Sequence, residues 1–261
     1  MQPGIVPRLT TTAALGTSMP VEPQPRPTIL ARLDRLAADR PDLPLVAPFM
    51  TYLLLLGVTY ALPAAAQPLG IALRGVFSLL VVWAFRRHLP PWGKPHWPVA
   101  ILGGGLVAWG WVAGQYAADA AGLPGRLPFY PGEKVVVDPR LELGAAHLFW
   151  ATWLLRCIVA CTAVPVVEEL FWRAFMLRAL VDWHNFERVP LGHFAWRACI
   201  GSALLSTLQH PDNWIVSIPC WLIFNGVFYW TRSILCLVLL HGVTNLVLYL
   251  IVLRVGDWAF W

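Results

Sequence analysis

Apolar residues occur along the chain in long runs, with short polar segments between them. The runs cover about 45–66, 70–85, 98–118, 144–167, 196–210, 214–230 and 233–253. A helix needs about 20 apolar residues to cross a hydrocarbon core of about 30 Å, and its internal hydrogen bonds satisfy the backbone in lipid. The pattern therefore predicts an all-α fold, a polytopic integral membrane helix bundle with about seven to eight transmembrane helices.

Composition supports this fold class. Of the 261 residues, 58% are hydrophobic and 13% are charged, whereas about a quarter of a typical globular domain is charged. Residues 1–43 contain several prolines and no long apolar run, so we predict a disordered N-terminal tail followed by a transmembrane domain at 44–261. The net charge of +5 is scattered without a basic stripe, which disfavours nucleic acid as a partner.

Lys and Arg residues are distributed unevenly among the connecting segments. With the N-terminus in the cytoplasm, thirteen of the 19 fall in cytoplasmic segments, four fall on the other side, and Arg74 and Arg156 lie within spans. Positive charge is retained on the cytoplasmic side of short loops. We therefore expect a multi-pass protein of the cell (inner) membrane with a cytoplasmic N-terminus. This orientation places the segment 168–197 at the cytoplasmic face.

Polar residues inside or beside the apolar runs are the candidates for function. An ionisable side chain at mid-membrane depth costs about 2.5 to 3.5 kcal/mol on insertion scales. Such residues are found in three places: Glu168, Glu169 and Arg173 after the fourth run, His210 at the end of the fifth, and His241 and Asn245 in the seventh. The spacing of four residues puts Glu169 and Arg173 on one helical face, and does the same for His241 and Asn245.

These groups could activate water beside an oxyanion site. A carboxylate can act as general base, a histidine can orient the same water, and a second histidine with an asparagine can donate hydrogen bonds to a developing oxyanion. That chemistry hydrolyses a peptide bond without a covalent intermediate. The same Glu and His groups could instead bind zinc, although the sequence contains no His-Glu-x-x-His motif.

The order of these motifs resembles a known family. Glu-Glu-x-x-x-Arg at 168–173, a histidine at 210 and His-x-x-x-Asn at 241–245 are similar to the CPBP family of intramembrane proteases, which includes the type II CAAX prenyl endopeptidases and the bacterial Abi proteins. The resemblance covers about 145–255, which we predict to be the catalytic bundle. Leu-Phe-Trp-Arg at 170–173 and the Trp-rich end of the chain further resemble the CAAX-protease-related proteins that accompany bacterial exosortase systems.

The resemblance implies a glutamate-dependent endopeptidase whose site opens to the cytoplasmic side, with no cofactor and no metal. By the same resemblance Glu168 is the catalytic glutamate and His210 positions its water. His241 and Asn245 stabilise the oxyanion, while Glu169 and Arg173 form a supporting pair. The expected partners are membrane lipids, a peptide or protein substrate in or at the membrane, and proteins of the exosortase system.

Two features of the sequence do not fit this assignment easily. Ser206 stands where the family's Phe-x-x-x-His motif has phenylalanine, which would widen the substrate side of the pocket. The predicted spans also place His210 at the opposite end of its helix from the cytoplasmic face assigned to Glu168. If the two residues share a site, at least one predicted boundary is wrong.

Other functions stay open from the sequence. A non-catalytic membrane scaffold or an immunity-type protein would keep the polar cluster for helix packing. A zinc-dependent membrane protease would use the same Glu and His residues as ligands. A serine protease would need Ser202 or Ser206 as nucleophile, and neither lies in a convincing motif. A transporter is disfavoured because the two halves of the chain show no inverted repeat.

Overall fold

The computed structural model describes residues 28–132 and 135–261, and this part of the chain contains helices and no strand. The all-α prediction is therefore confirmed. The helices are α1 (Ile29–Asp39), α2 (Leu43–Tyr60), α3 (Gln67–Ala84), α4 (Trp97–Ala120), α5 (Pro139–Glu142), α6 (Ala146–Cys161), α7 (Ala163–Glu169), α8 (Leu177–Ala179), α9 (Trp196–Leu205), α10 (Trp214–Thr231) and α11 (Ile234–Val255). A π-helical segment, Leu170–Met176, joins α7 to α8.

Within the described ranges, five helical segments are long and apolar enough to cross a membrane: Leu43–Tyr60, Ala64–Ala84, Trp97–Ala120, Pro211–Thr231 and Ile234–Val255. They correspond to the first, second, third, sixth and seventh apolar runs. The predicted total of seven to eight spans is larger than these five because the fourth and fifth runs do not form long uninterrupted helices. The fourth run is interrupted at Thr162, and α9, in the fifth run, has only 10 residues.

The helical structure of the fourth run continues well beyond residue 167, where the sequence placed the end of the apolar run. After a break at Thr162, α7, the π-helical segment and α8 continue without a gap to Ala179. Pro165 has no N–H to donate to the carbonyl four residues earlier, which accounts for a break just before it. Glu168 and Glu169 therefore lie inside a long helical rod, made of α6, α7, the π-helical segment and α8, and not at its end.

This rod lies at the centre of the bundle. Val167 and Leu170 are fully buried, and α7 packs against α2, α3 and α11. Glycines allow the close packing of α11: a Cβ on Gly242 would lie 2.7 Å from the carbonyl oxygen of Cys161, and one on Gly104 would lie 2.7 Å from that of Leu240. The residues around the break are therefore held directly against α11.

The bundle has two ends, which we call the N-terminal end and the far end. At the N-terminal end, where α2 and α11 begin, Ser233 Oγ donates to the Lys94 carbonyl at 2.6 Å. At the far end, where α4 and α11 finish, Tyr116 Oη donates to Asp257 at 2.9 Å. The rod runs from the far end, where α6 begins, to the N-terminal end, where α8 finishes.

The predicted disordered tail overlaps the first helix. Residues 29–39 form α1, and the Thr28 hydroxyl caps it by accepting from the Ala31 N–H at 3.3 Å. Disorder over residues 29–39 was therefore a wrong prediction, because an N-cap and an amphipathic pattern were read as a featureless tail. Residues 1–27 lie outside the described part of the chain, and the boundary of the transmembrane domain stays a prediction.

Candidate active site

Glu169 lies at the centre of a buried charged cluster. Its Oε2 is 3.1 Å from Arg173 Nε, one helical turn away, and its Oε1 is 2.9 Å from His241 Nδ1 on α11. Glu169 and Arg173 have no solvent exposure. The Arg173 guanidinium also lies 5.4 Å from the ring centroid of Trp221 and 5.3 Å from that of Phe224. Arg173 therefore belongs to the core of the bundle.

Glu168 has different partners from its neighbour. On a helix, consecutive side chains point about 100° apart, and Glu168 is directed towards the segment that follows α9. There Gln209 Nε2 donates to Glu168 Oε1 at 3.2 Å, and Gln209 Oε1 accepts from Trp172 Nε1 at 2.6 Å. The Trp172 indole can only donate, so the Gln209 amide must turn its oxygen towards Trp172. Its NH2 group is then directed towards Glu168.

His210 follows Gln209 directly and lies between two aromatic side chains. Its ring centroid is 5.2 Å from that of Trp111 on α4 and 5.4 Å from that of Trp221 on α10. The hydrogen bond from Gln209 to Glu168 brings this segment beside the rod. The conflict between the predicted positions of His210 and Glu168 is resolved, because the boundary drawn at residue 167 was wrong.

Asn245 lies one turn after His241 on α11. Its Nδ2 donates to the Ala160 carbonyl at 2.6 Å, next to the break in the rod. An amide group carries two N–H donors, so one hydrogen remains after this contact. Asn245 thus joins α11 to the end of α6 while retaining a donor for a further partner.

A cavity of about 360 Å³ connects these residues. His210, His241 and Asn245 all line it, so the structure brings together three of the four predicted catalytic side chains. Glu168 is not part of the lining; it is 7% exposed, and its partner Gln209 directly precedes His210, which lines the cavity. The volume lies in the range of ordinary ligand pockets.

The cavity extends towards the far end of the bundle. Its walls include Tyr60 at the end of α2, Tyr249 in the last two turns of α11, and the C-terminal residues 259–261. The loop 180–195, which follows α8, lies at the opposite, N-terminal end. The expectation that the site opens on the same side as the 168–197 segment is therefore not met.

Comparison with known proteins identifies the part of the chain that carries these motifs. Residues 150–247 match a family described as type II CAAX prenyl endopeptidase Rce1-like. This segment is similar to that family, and we refer to it as the Rce1-like domain. The match confirms the resemblance to the CPBP proteases and indicates a protease of the CAAX type in a multi-pass membrane protein. No curated protein and no solved structure matches the chain.

Sequence reasoning missed Gln209 as a part of the site in the Rce1-like domain. A neutral polar residue at a helix end resembles an ordinary capping residue, so its type gave no reason to select it. A usable signal was its position directly before His210, in a segment that must approach Glu168 if both belong to one site. Trp172, its other partner, lies within the charged motif at 168–173.

The serines near His210 do not face the cavity of the Rce1-like domain. Ser206 Oγ donates to the Ala203 carbonyl at 2.6 Å and lies 3.1 Å from Ser217 Oγ on α10. Ser202 Oγ donates to the Cys199 carbonyl and accepts from Asn225 Nδ2 at 2.9 Å. These hydroxyls tie α9 to α10, so the expected widening of the pocket by Ser206 does not occur.

The arrangement of the acidic, histidine and cysteine side chains bears on metal binding. Among the residues that the structure describes, no group of three or more His, Cys, Asp and Glu side chains is placed to hold a metal ion. Glu169 is already engaged by Arg173 and His241. The charged groups of Glu169 and Arg173 are thus paired with each other.

Proposed function

We propose that the protein is a glutamate-dependent intramembrane endopeptidase that hydrolyses a peptide bond in a membrane-associated protein or peptide, with Glu168 as general base. The observation that carries the proposal is the placement of Glu168. A fixed amide holds its carboxylate beside a cavity that His210, His241 and Asn245 line. The Rce1-like family supports a protease, and the glutamate mechanism is our assignment.

In the proposed reaction, Glu168 takes a proton from water while the water oxygen attacks the substrate carbonyl carbon. His210 orients the same water. The carbonyl oxygen becomes an oxyanion, and Glu168 then passes its proton to the amine nitrogen as the carbon–nitrogen bond breaks. The products are a carboxylate and an amine. No residue of the protein forms a bond to the substrate.

Asn245 and His241 would receive the oxyanion. The remaining N–H of Asn245 can donate to it, since the other hydrogen is used on Ala160. A carboxylate only accepts hydrogen bonds, so Glu169 requires the proton of His241 to be on Nδ1. This contact fixes the ring and leaves Nε2 for the cavity. His241 donates from Nε2 only when that nitrogen is protonated as well.

The test compares purified wild type with Glu168→Gln on a diverse peptide pool, with a chelator present and cleavage read by mass spectrometry. We expect cleavage by wild type and a loss of at least about 100-fold in the variant, the scale of a removed general base. Glu187→Gln, at an exposed side chain on the N-terminal end, is the matched control and should cleave normally. Equal rates for wild type and Glu168→Gln would refute the assignment.

The same experiment distinguishes the alternatives. Loss of cleavage with the chelator and recovery with zinc would establish the zinc-dependent protease. A scaffold or an immunity-type protein would show no cleavage by either protein, and Glu168→Gln would change only stability. The burial of the Glu169 cluster is compatible with such a structural role, but Glu168, which has a neutral amide as its partner, is not needed to neutralise that cluster.

We further propose that the protein lies in the cell (inner) membrane with its N-terminus in the cytoplasm, as the distribution of Lys and Arg favours. The cavity then faces away from the cytoplasm, because it extends to the far end of the bundle. Association with an exosortase system stays a proposal on the sequence resemblance alone.

Fusions at residue 261 test the orientation in a bacterial host. Because α11 finishes at the far end, alkaline phosphatase fused there should be active and a green fluorescent protein fused there should be dark. The reverse pattern would put the cavity on the cytoplasmic side. Fusions at residue 1 serve as the matched control and should give the opposite readings.

A further inference from the structure

Two arginines inside the predicted spans line the same cavity as His210 and His241. Arg74 lies on α3 and Arg156 lies on α6. Arg74 is buried, with 7% of its surface exposed. An arginine within a membrane span is costly to insert, so a protein that keeps two of them in one cavity must derive some benefit from them.

Both guanidinium groups have aromatic neighbours instead of acidic ones. Arg74 lies 5.3 Å from the ring centroid of Tyr52, and its Nε has no hydrogen-bond partner. Arg156 Nε donates to Tyr249 Oη at 3.4 Å, and its guanidinium lies 4.2 Å from the ring centroid of Trp261. The aromatic faces attract the cations but do not neutralise them.

The other arginines near the cavity are compensated. Arg173 pairs with Glu169 and Arg126 pairs with Asp212. In the described ranges 28–132 and 135–261, neither Arg74 nor Arg156 forms an ion pair with a carboxylate. Asp212 also lines the cavity, but its carboxylate is paired with Arg126, so Arg74 and Arg156 line the cavity without an ion-pair partner from this part of the chain.

We propose that Arg74 and Arg156 form a subsite that binds a carboxylate of the peptide substrate. The planar fork of a guanidinium matches a carboxylate with two parallel hydrogen bonds, and the neighbouring tyrosine hydroxyl can donate a third. The carboxylate belongs either to the C-terminus of the substrate or to an Asp or Glu side chain. The proposal rests on the proposed function, since it takes the occupant of the cavity to be a peptide.

The geometry also sets the distance from the cleaved bond. Tyr249, the partner of Arg156, follows Asn245 by one helical turn, about 6 Å along the axis of α11. An extended peptide covers about 3.3 Å per residue. A scissile carbonyl at Asn245 would therefore place the bound carboxylate about two residues away.

The test measures binding without cleavage, so that it stands apart from the proposed reaction. The full-length Glu168→Gln protein is immobilised in detergent and offered a pool of peptides in matched pairs. In one set, the two members of a pair differ only in having a C-terminal carboxylate or a C-terminal amide. In the other set, one member has internal Asp and Glu, and its partner has Asn and Gln at the same positions. Mass spectrometry quantifies which peptides are retained. We expect the carboxylate member of a pair to be retained about tenfold better.

Further variants link this preference to the two arginines. Arg74→Gln and Arg156→Gln, each added to the Glu168→Gln protein, should each reduce the preference about tenfold. Arg254→Gln, at an exposed position at the end of α11 and outside the cavity, is the control and should leave it unchanged. If Arg74→Gln fails to fold, Arg74→Lys keeps the charge without the fork, and Arg156→Gln tests the subsite independently.

Each outcome decides the proposal. A preference for the acid over the amide assigns the carboxylate to the C-terminus, and a preference for Asp and Glu assigns it to a side chain; both support the subsite. Equal retention within pairs, or a preference that both arginine variants keep, overturns it. Displacement of all retained peptides by phosphatidylglycerol would make a lipid phosphate the occupant and also overturn it. Failure of wild type to cleave any peptide counts against the proposed reaction alone.

Discussion

Replacement of Arg173 by methionine tests whether the charged cluster at the centre of the bundle depends on mutual pairing. Methionine is unbranched and flexible like the stem of arginine, is shorter, and carries no charge. In the variant, Glu169 would remain fully buried and would keep only His241, 2.9 Å away, as a polar partner. The contacts of the guanidinium with Trp221 and Phe224 would be replaced by apolar packing.

The expected loss of stability is large because neither charge reaches solvent. Removal of one partner from a buried ion pair costs about 3 to 5 kcal/mol, since the other charge is left without compensation. The 3.1 Å contact between Arg173 and Glu169 belongs to this class, as both side chains have no exposure. The remaining contact with His241 places the expected loss near the lower end, at about 3 kcal/mol.

The free energy of unfolding can be measured in mixed micelles by titration with a denaturing detergent, with the fluorescence of the 15 tryptophans as the signal. Arg254→Met, at an exposed side chain, is the matched control and should change stability by less than about 0.5 kcal/mol. The double variant Glu169→Gln/Arg173→Met removes both charges. It should be more stable than Arg173→Met alone, because no unpaired charge is left.

A loss of less than about 1 kcal/mol in Arg173→Met would refute this reasoning. It would mean that Glu169 either reaches water or is held well enough by His241 alone. A double variant that is less stable than the single one would also contradict it. In that case the carboxylate would contribute more through its contact with His241 than through Arg173.

Two further changes are predicted from single contacts. Gln209→Ala should lower the rate of peptide cleavage about tenfold in the mass-spectrometric assay, because Glu168 loses the amide that orients it, and should cost about 1 kcal/mol of stability, because the buried Trp172 indole loses its acceptor. Normal cleavage by this variant would exclude a positioning role. Gly242→Ala should destabilise the bundle by at least about 1 kcal/mol, since its Cβ would lie 2.7 Å from the Cys161 carbonyl, whereas Gly226→Ala, with nothing within 4 Å, should be tolerated.

Apolar patterning was sufficient to predict five of the long helices, because length and hydropathy determine whether a segment can lie in lipid. It failed at residue 167 for a specific reason. Charged residues after an apolar run were interpreted as the polar end of a span. Glu169 and Arg173 neutralise each other one turn apart, so the helix continues through the interior to Ala179. Their spacing was visible in the sequence, but their burial depends on how α2, α3 and α11 pack around them.

The residues of the site were selected from the sequence by a single property, a polar group in apolar surroundings. This property found His210, His241 and Asn245, which line one cavity. It could not assign Arg74 and Arg156 to the same cavity, because their approach depends on contacts of α6 with α3 and with α11, which are distant from it in sequence. The hydrophobic pattern of a single helix does not show which other helices it contacts.

The difference between the two adjacent glutamates comes from their partners instead of from their order in the chain. Glu169 is engaged by a guanidinium and an imidazole, so a proton on this carboxylate would disrupt contacts that hold the rod to α11. Glu168 accepts one hydrogen bond from a neutral amide. Of the two, it is the carboxylate that can gain and release a proton while the buried ion pair stays intact. Glu169 then orients His241 and supports the bundle, and Glu168 is available for the proposed proton transfer.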